Sequence, residues 1–420
     1  MSPSMRDAAD DTRPPDTPHP DTRPPDTRHP GAPAAGRAER FRGAPAPRPH
    51  VLLIQPQAEN AGAQAIARML ATALAERGYR TGQLFFYRKT GAFDAEPGVA
   101  FCAAGRPRTP LAFARFFLDL VRRIRRARPD AVLCFQHYGN IVGAAAARLA
   151  GVPVVIANQN SARDTTPPRA RAVDRWLGAR GLYGRIVVNS HDSAGDLADY
   201  PERYRARVVH IDHGFVGRDS ALSQAEARAR LGLALPPGGR LLGCVARLHP
   251  LKNLAAAVRL LPHDPARHLA LAGQGAERDA LAGLAEELGC GARLHLVGEL
   301  PPERVGDFLR ALDVFVFPSR AETFGLAAVE AAQAGVPVVA NALPVLREVL
   351  ATRDGPCALF ADAEDDAALA QAVRRLERDP ELAARLVRSG RGLAGRFPVD
   401  AMAEAYDALL RERIAAARRV

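Results

Sequence analysis

Two carboxylates and two cations carry the chemistry open to this chain. Glu322 and Glu330 stand eight positions apart in Glu322-Thr323-Phe324-Gly325-Leu326-Ala327-Ala328-Val329-Glu330. The hydrophobic run Asp313-Val314-Phe315-Val316-Phe317-Pro318-Ser319 precedes them. An Ala-rich stretch and a second apolar run, Gly335-Val336-Pro337-Val338-Val339-Ala340, follow. The pattern predicts a strand, a loop bearing Glu322, a helix bearing Glu330, and another buried strand. Eight residues is close to a whole number of turns at ~3.6 residues each, so both carboxylates can lean toward the carboxyl end of the strand. Open α/β sheets bind ligands at that edge. Gly325 lets backbone approach a ligand closely, and the helix start beside it suits phosphate.

Arg247 and Lys252 lie in Val245-Ala246-Arg247-Leu248-His249-Pro250-Leu251-Lys252-Asn253, directly after the hydrophobic run Leu241-Leu242-Gly243-Cys244-Val245. A guanidinium fork and a compact ammonium on one strand-to-helix loop can neutralise a diphosphate in complementary ways. Carboxylates on a neighbouring loop can accept hydrogen bonds from sugar or ribose hydroxyls, as an acidic residue does in dinucleotide folds. Together these groups read as a nucleotide-sugar site.

With the Gly273-Gln274-Gly275 turn after a further strand-like run, the set resembles the retaining GT-B glycosyltransferases of glycosyltransferase family 4. The resemblance is closest over about residues 238–350, looser over 50–215, and does not reach 1–48. It implies a nucleoside-diphosphate sugar as donor and a hydroxyl acceptor. In that family the Arg and Lys hold the donor diphosphate, which implies those roles for Arg247 and Lys252. It implies that Glu322 contacts the transferred sugar and Glu330 the ribose hydroxyls. Amides around Phe324, Gly325 and Leu326 would face the sugar and the distal phosphate. The family also places a histidine facing the donor sugar near His137; on residues alone, a structural or surface histidine fits as well. Gly273 is expected on the diphosphate or nucleoside side, and Gly298 on the base-contacting loop. Gly62 belongs to the loop Asn60–Gln64, where the family is richer in glycine; a plain turn fits equally. Glu348 takes the place of a recurring family Glu. The resemblance implies no cofactor beyond the donor and no metal.

These loops need strands and helices to hold them. Hydrophobic runs at 49–54, 131–135, 154–157, 185–188 and 208–211 alternate with helical patterns, and a second series falls at 241–246, 268–272, 293–297, 313–317 and 337–340. Such alternation argues for parallel, doubly wound sheets. The expected organisation is a disordered Pro-rich tail at 1–48 and a Rossmann-like acceptor domain at 49–215. A Rossmann-like donor domain follows at 216–398, with a last helix at 399–420 that crosses back to the first domain. The two domains face a cleft. The tail nearly duplicates a ten-residue unit, Asp11–Pro20 and Asp21–Pro30, and has almost no large apolar residues with which to build a core.

The formal net charge of +11 is uneven: 23 Lys and Arg stand against 13 acids over residues 51–215, but 26 against 26 over 216–420. The basic half suggests an anionic partner, either a phospholipid membrane surface or a diphosphate-linked acceptor, and the hydroxyl acceptor is expected to be lipid-linked. The segment Leu111–Arg128 adds an amphipathic pattern, with Phe113, Phe116, Phe117, Leu120 and Ile124 on one stripe; it suits a sheet-packing helix or a membrane contact. No apolar run reaches the ~18 residues of a membrane span, and the start of the chain shows no secretory signal. The expected location is therefore cytoplasmic, or peripheral on the inner face of the membrane. Five scattered cysteines fit buried thiols, and no His/Cys/Asp cluster has metal-ligand spacing. A sugar-nucleotide epimerase of the same fold and a basic nucleic-acid-binding protein are rival readings. The first lacks assignable acid/base residues; the second lacks a recognition motif, so no nucleic-acid partner is expected.

Overall fold

The computed structural model of the chain describes residues 48–59, 61–91 and 93–419. The expected tail lies outside them except for Arg48, as does Asn60. Strands β1 (His50–Ala58), β2 (Arg80–Arg88), β3 (Val99–Ala103), β4 (Ala131–Phe135), β5 (Val154–Gln159), β6 (Arg185–Val188) and β7 (Val208–His210) form a first sheet in the order β3-β2-β1-β4-β5-β6-β7. Strands β8 (Arg240–Val245), β9 (Arg267–Ala272), β10 (Leu294–Gly298), β11 (Val314–Phe317) and β12 (Val338–Asn341) form a second. It is completed by β15 (Leu359–Ala361), in the order β10-β9-β8-β11-β12-β15, after a small hairpin, β13 (Ala351–Thr352) and β14 (Gly355–Pro356). Every neighbouring pair in both large sheets is parallel. The two sheets, with helices on their faces, have the GT-B architecture of two Rossmann-like domains.

Parallel sheets are covered on both faces, which is why their strands read as unbroken apolar runs. In β1, Val51 and Leu53 face one core with Ile66, Leu70 and Leu74 of helix α1 (Gly62–Glu76), while Leu52 and Ile54 face the other with Phe116, Leu120 and Ile124 of helix α2 (Pro110–Ala127). The amphipathic stripe of α2 is thus split. Phe116, Leu120 and Ile124 are buried, whereas Phe113 stays exposed, as do Leu111 and Leu118 off the stripe. Four of the five cysteines are buried and all are free. The final helix, Val399–Ala417, leaves the second sheet and packs Met402, Tyr406 and Leu410 into the core beneath the first.

The chain passes between the sheets twice, and the two passages touch. Phe215 N donates to Phe397 O at 3.1 Å. A Cβ on Gly214 would lie 2.5 Å from Val399 Cα, so only glycine lets these backbones meet.

Both sheets reverse their strand order at one place. In the first, the chain winds outward from β1 in one direction and from β4 in the other. In the second it does so from β8 and β11. Crevices open at the carboxyl ends of such strand pairs. Glu59 follows β1 and His137 follows β4; Arg247 follows β8 and Glu322 follows β11. The residues with chemistry therefore stand at the two switch points.

Candidate active site

The Arg247–Lys252 loop is fixed at each end. Leu248 N donates to Gln274 O at 2.9 Å, and Glu277 N donates back to Leu248 O at 3.2 Å. Two glycines permit this embrace: a Cβ on Gly273, whose φ is +143°, would lie 1.9 Å from Ala246 O, and one on Gly275 would lie 2.1 Å from Leu248 O. These glycines hold the cation-bearing loop in place. Gly298, with φ +85°, accepts from Gly273 N at 2.7 Å and continues the same stack of strand ends. Beyond Lys252, Asn253 takes a left-handed turn at φ +48°, and its buried side chain donates to Ala363 O at 3.1 Å.

Lys252 then reaches Glu322, with Nζ 2.6 Å from Oε1 and both side chains largely buried. The β8 and β11 loops are tied together by this pair. Arg247 extends the other way: its Nη1 lies 3.5 Å from Oε1 of Glu59, across the cleft in the first domain. Glu59 is also held by Lys89 Nζ at 2.5 Å and by the Gln57 amide. The loop carries a positive field. Burial lowers the pKa of His249 between the two cations; Arg247, then Lys89 and Lys252, push it the same way, against Glu277, which raises it.

Gly325, at φ +85°, starts the helix Leu326–Gln333, and no side chain caps that start. Phe324 is 3% exposed and packs on His213 and Phe397, so its side chain is core and only its backbone faces the site. Glu330, in the helix, does not share a partner with Glu322. It is buried and accepts from Arg218 Nε at 3.0 Å. Burial pushes its carboxyl pKa up, and Arg218 pulls it back.

His137 follows a strained residue, Gln136, at φ +62°, whose N–H donates to Asn160 Oδ1 at 2.7 Å. Its Nδ1 is buried without a hydrogen bond, and burial, then Arg106, lowers its pKa, favouring the neutral ring. It lines a recess with Gln159, Ser161, Arg163 and Asp174. Among the described residues no hydrogen bond or ion pair joins it to Arg247, Lys252 or Glu322. Gly62 opens α1, and a Cβ there would meet no protein atom within 4 Å.

Glu59, Lys89 and Arg218 were not singled out from the sequence. Glu59 touches Arg247, Arg218 touches Glu330 and Lys89 touches Glu59, and only the fold reveals these pairings. A second cross-domain contact lies nearby. Glu348 accepts from the amides of His191 at 2.7 Å and Asp192 at 3.0 Å, at the start of a helix capped within the first domain by Ser190. Glu348, His191 and His210 also form the one group among the described residues with metal-capable atoms within 4.8 Å of one another. Both carboxylate oxygens are already engaged by those amides, and His210 Nε2 lies 3.1 Å from Asp212.

A family model for group 1 glycosyl transferases matches residues 226–393, and a model for glycosyltransferase family 4 matches residues 61–215. D-inositol 3-phosphate glycosyltransferase of Rhodococcus opacus (strain B4) is 30% identical over 399 residues, covering 84% of this chain and 87% of its own length. The enzyme of that name from Frankia alni is 33% identical over 316 residues, 69% of this chain and 76% of its own. Among solved structures, sucrose-phosphate synthase from Thermosynechococcus elongatus matches with a TM-score of 0.75 at 22% identity, over 88% of this chain and 100% of its own. Anabaena HepE in complex with UDP and glucose matches with a TM-score of 0.75 at 20% identity, over 87% and 100%.

Proposed function

The chain belongs to the group 1, family 4 glycosyltransferases, and on that premise we propose that it moves a sugar from a nucleoside-diphosphate sugar to a hydroxyl acceptor with retention of configuration. The observation that carries this reading is the cleft-edge set of Arg247, Lys252 and Glu322 beside the uncapped helix start at Gly325. Arg247 and Lys252 neutralise the departing diphosphate, and the amides of Leu326 and Ala327 add donors aimed at the same charge. Glu322, oriented by Lys252, accepts from hydroxyls of the transferred sugar. Glu330, oriented by Arg218, accepts from the ribose, with Gly273 and Gly298 bordering the nucleoside. His137 faces the sugar from the first domain as a neutral hydrogen-bonding group. With cations supplied by protein, transfer proceeds without a divalent metal.

The relatives' named substrate, D-inositol 3-phosphate, and the excess of 23 basic over 13 acidic residues in 51–215 both favour an acceptor that carries phosphate. The exposed Leu111, Phe113 and Leu118 on the Arg-rich helix α2 favour contact with an anionic membrane, which suits a lipid-linked acceptor. No helix among the described residues is long and apolar enough to cross a membrane.

The test is incubation with a panel of sugar nucleotides, with and without phosphorylated acceptors, in EDTA. The expected result is slow donor hydrolysis without acceptor, faster consumption with one, and a product anomer matching the donor by NMR. Abolition by EDTA with recovery in magnesium or manganese would overturn the metal-free mechanism. Epimerised donor in place of transfer would instead reveal the epimerase.

Glu330→Gln separates recognition from chemistry. It loses charge-assisted bonds of roughly 1.5–3 kcal/mol each to a part of the donor that does not react. The donor KM should therefore rise by tenfold or more, with kcat little changed. A 2′-deoxyribose donor should lose affinity against wild type but much less against Glu330→Gln. Equal losses in both enzymes would show that Glu330 does not read the ribose.

A further inference from the structure

We propose that Glu59 is an internal anion that competes with the donor diphosphate for Arg247, and that Lys89 is the cation to which it falls back. Glu59 is only 5% exposed, yet it stands at the end of β1 on the crevice. Its carboxylate lies 2.5 Å from Lys89 Nζ and 3.5 Å from Arg247 Nη1, so one acid bridges a cation of each domain. The shorter contact is to Lys89, in its own domain, and the longer one crosses the cleft. A diphosphate seated on Arg247 brings negative charge beside Glu59, where low solvent exposure weakens screening. Arg247 then turns its donors to phosphate, and Glu59 keeps Lys89. When the nucleoside diphosphate leaves, Glu59 takes up Arg247 again. The exchange weakens product binding and draws the two domains together through a single ion pair.

The proposal rests on Arg247 as the diphosphate-binding cation, and it predicts effects of opposite sign from two neighbours. Glu59→Gln keeps shape and removes the competing charge. It should tighten UDP binding and lower the donor KM by about three- to tenfold, with stronger inhibition by UDP, while kcat does not rise. Lys89→Met leaves Glu59 without its fallback and should weaken UDP by a similar factor. In the Glu59→Gln background the same Lys89→Met change should cost much less, because Lys89 acts through Glu59. UDP affinity is measured by calorimetry on the full chain, with GDP and ADP substituted if UDP does not bind. Thermal melting accompanies each variant, since a merely structural ion pair would lower the melting temperature and leave UDP affinity unmoved. Arg247→Ala separates the two readings. If it loses UDP affinity but Glu59→Gln gains none, the competition is wrong and the donor site stands. If it binds UDP as wild type does, or if no nucleoside diphosphate binds wild type, the donor site and the competition fail together.

Discussion

Replacing Lys252 by alanine should lower turnover by about 10²–10³, the usual cost of removing one donor aimed at charge that develops in the transition state. Lys252 is placed by three local constraints: the His249–Leu251 turn before it, the left-handed Asn253 after it, and Glu322 at 2.6 Å. Its side chain is 20% exposed and that of Glu322 12%. Removing the cation alone leaves Glu322 largely buried without its partner, at a cost in stability of about 3–5 kcal/mol in a fully buried pair and less here. The assay therefore runs well below the melting temperature of the variant, and Lys252→Met/Glu322→Gln provides a version with no orphaned charge. Glu322→Gln alone should lower kcat, since its partner hydroxyls belong to the transferred sugar. Arg247→Ala should lose a comparable factor with less effect on stability, because its pairing with Glu59 is longer, at 3.5 Å, and its side chain is 37% exposed. Near-normal turnover in both Lys252→Ala and Arg247→Ala would remove the donor site from this edge of the sheet.

Most strands that the sequence announces are central and buried, although the half-buried edge strands β7 and β10 are announced as well. β1, β4, β5, β8, β9 and β11 each hold an apolar run packed on both faces of its sheet. β2, β3 and β15 are not among those announced. β2 opens with Arg80, Thr81, Gly82 and Gln83, so its short buried run Leu84–Phe86 follows a polar start, and β3 is a half-exposed edge strand. β15 has only three residues. Among site residues, those inside dense local motifs were legible, because chemistry and backbone signals coincide within a few positions. Their partners were not. Arg218 meets Glu330 from 112 positions away, and Glu59 meets Arg247 from the other sheet. Single charges on loops have no periodicity, and one sequence holds no signal that pairs them. The two carboxylates show the limit from the other side. Helical spacing allowed them one shared direction, but each is claimed by a different cation, because Lys252 and Arg218 enter the crevice from separate loops.

Gly273→Ala should abolish most transfer although residue 273 need not touch the donor. Two physical effects coincide there. Its φ of +143° lies where side chains are strained, by on the order of 1–3 kcal/mol. The added Cβ would also stand 1.9 Å from Ala246 O, a backbone atom that no rotamer change can move aside. Relief requires the Ala246–Leu248 segment to shift, and Arg247 lies in its middle. A misplacement of about 1 Å at a positioning group costs about 10² in rate, so kcat should fall by that factor together with the melting temperature. Gly283→Ala is the control. It lies in the helix Arg278–Glu287 with nothing within 4 Å of its Cβ, and alanine there should stabilise by about 0.5–1 kcal/mol. A Gly273→Ala variant that melts lower yet transfers normally would mean that the loop repacks without moving Arg247. The glycine would then serve the fold alone. Loss of transfer that parallels Arg247→Ala, with UDP affinity reduced in both, would show that this glycine acts by fixing where the guanidinium stands.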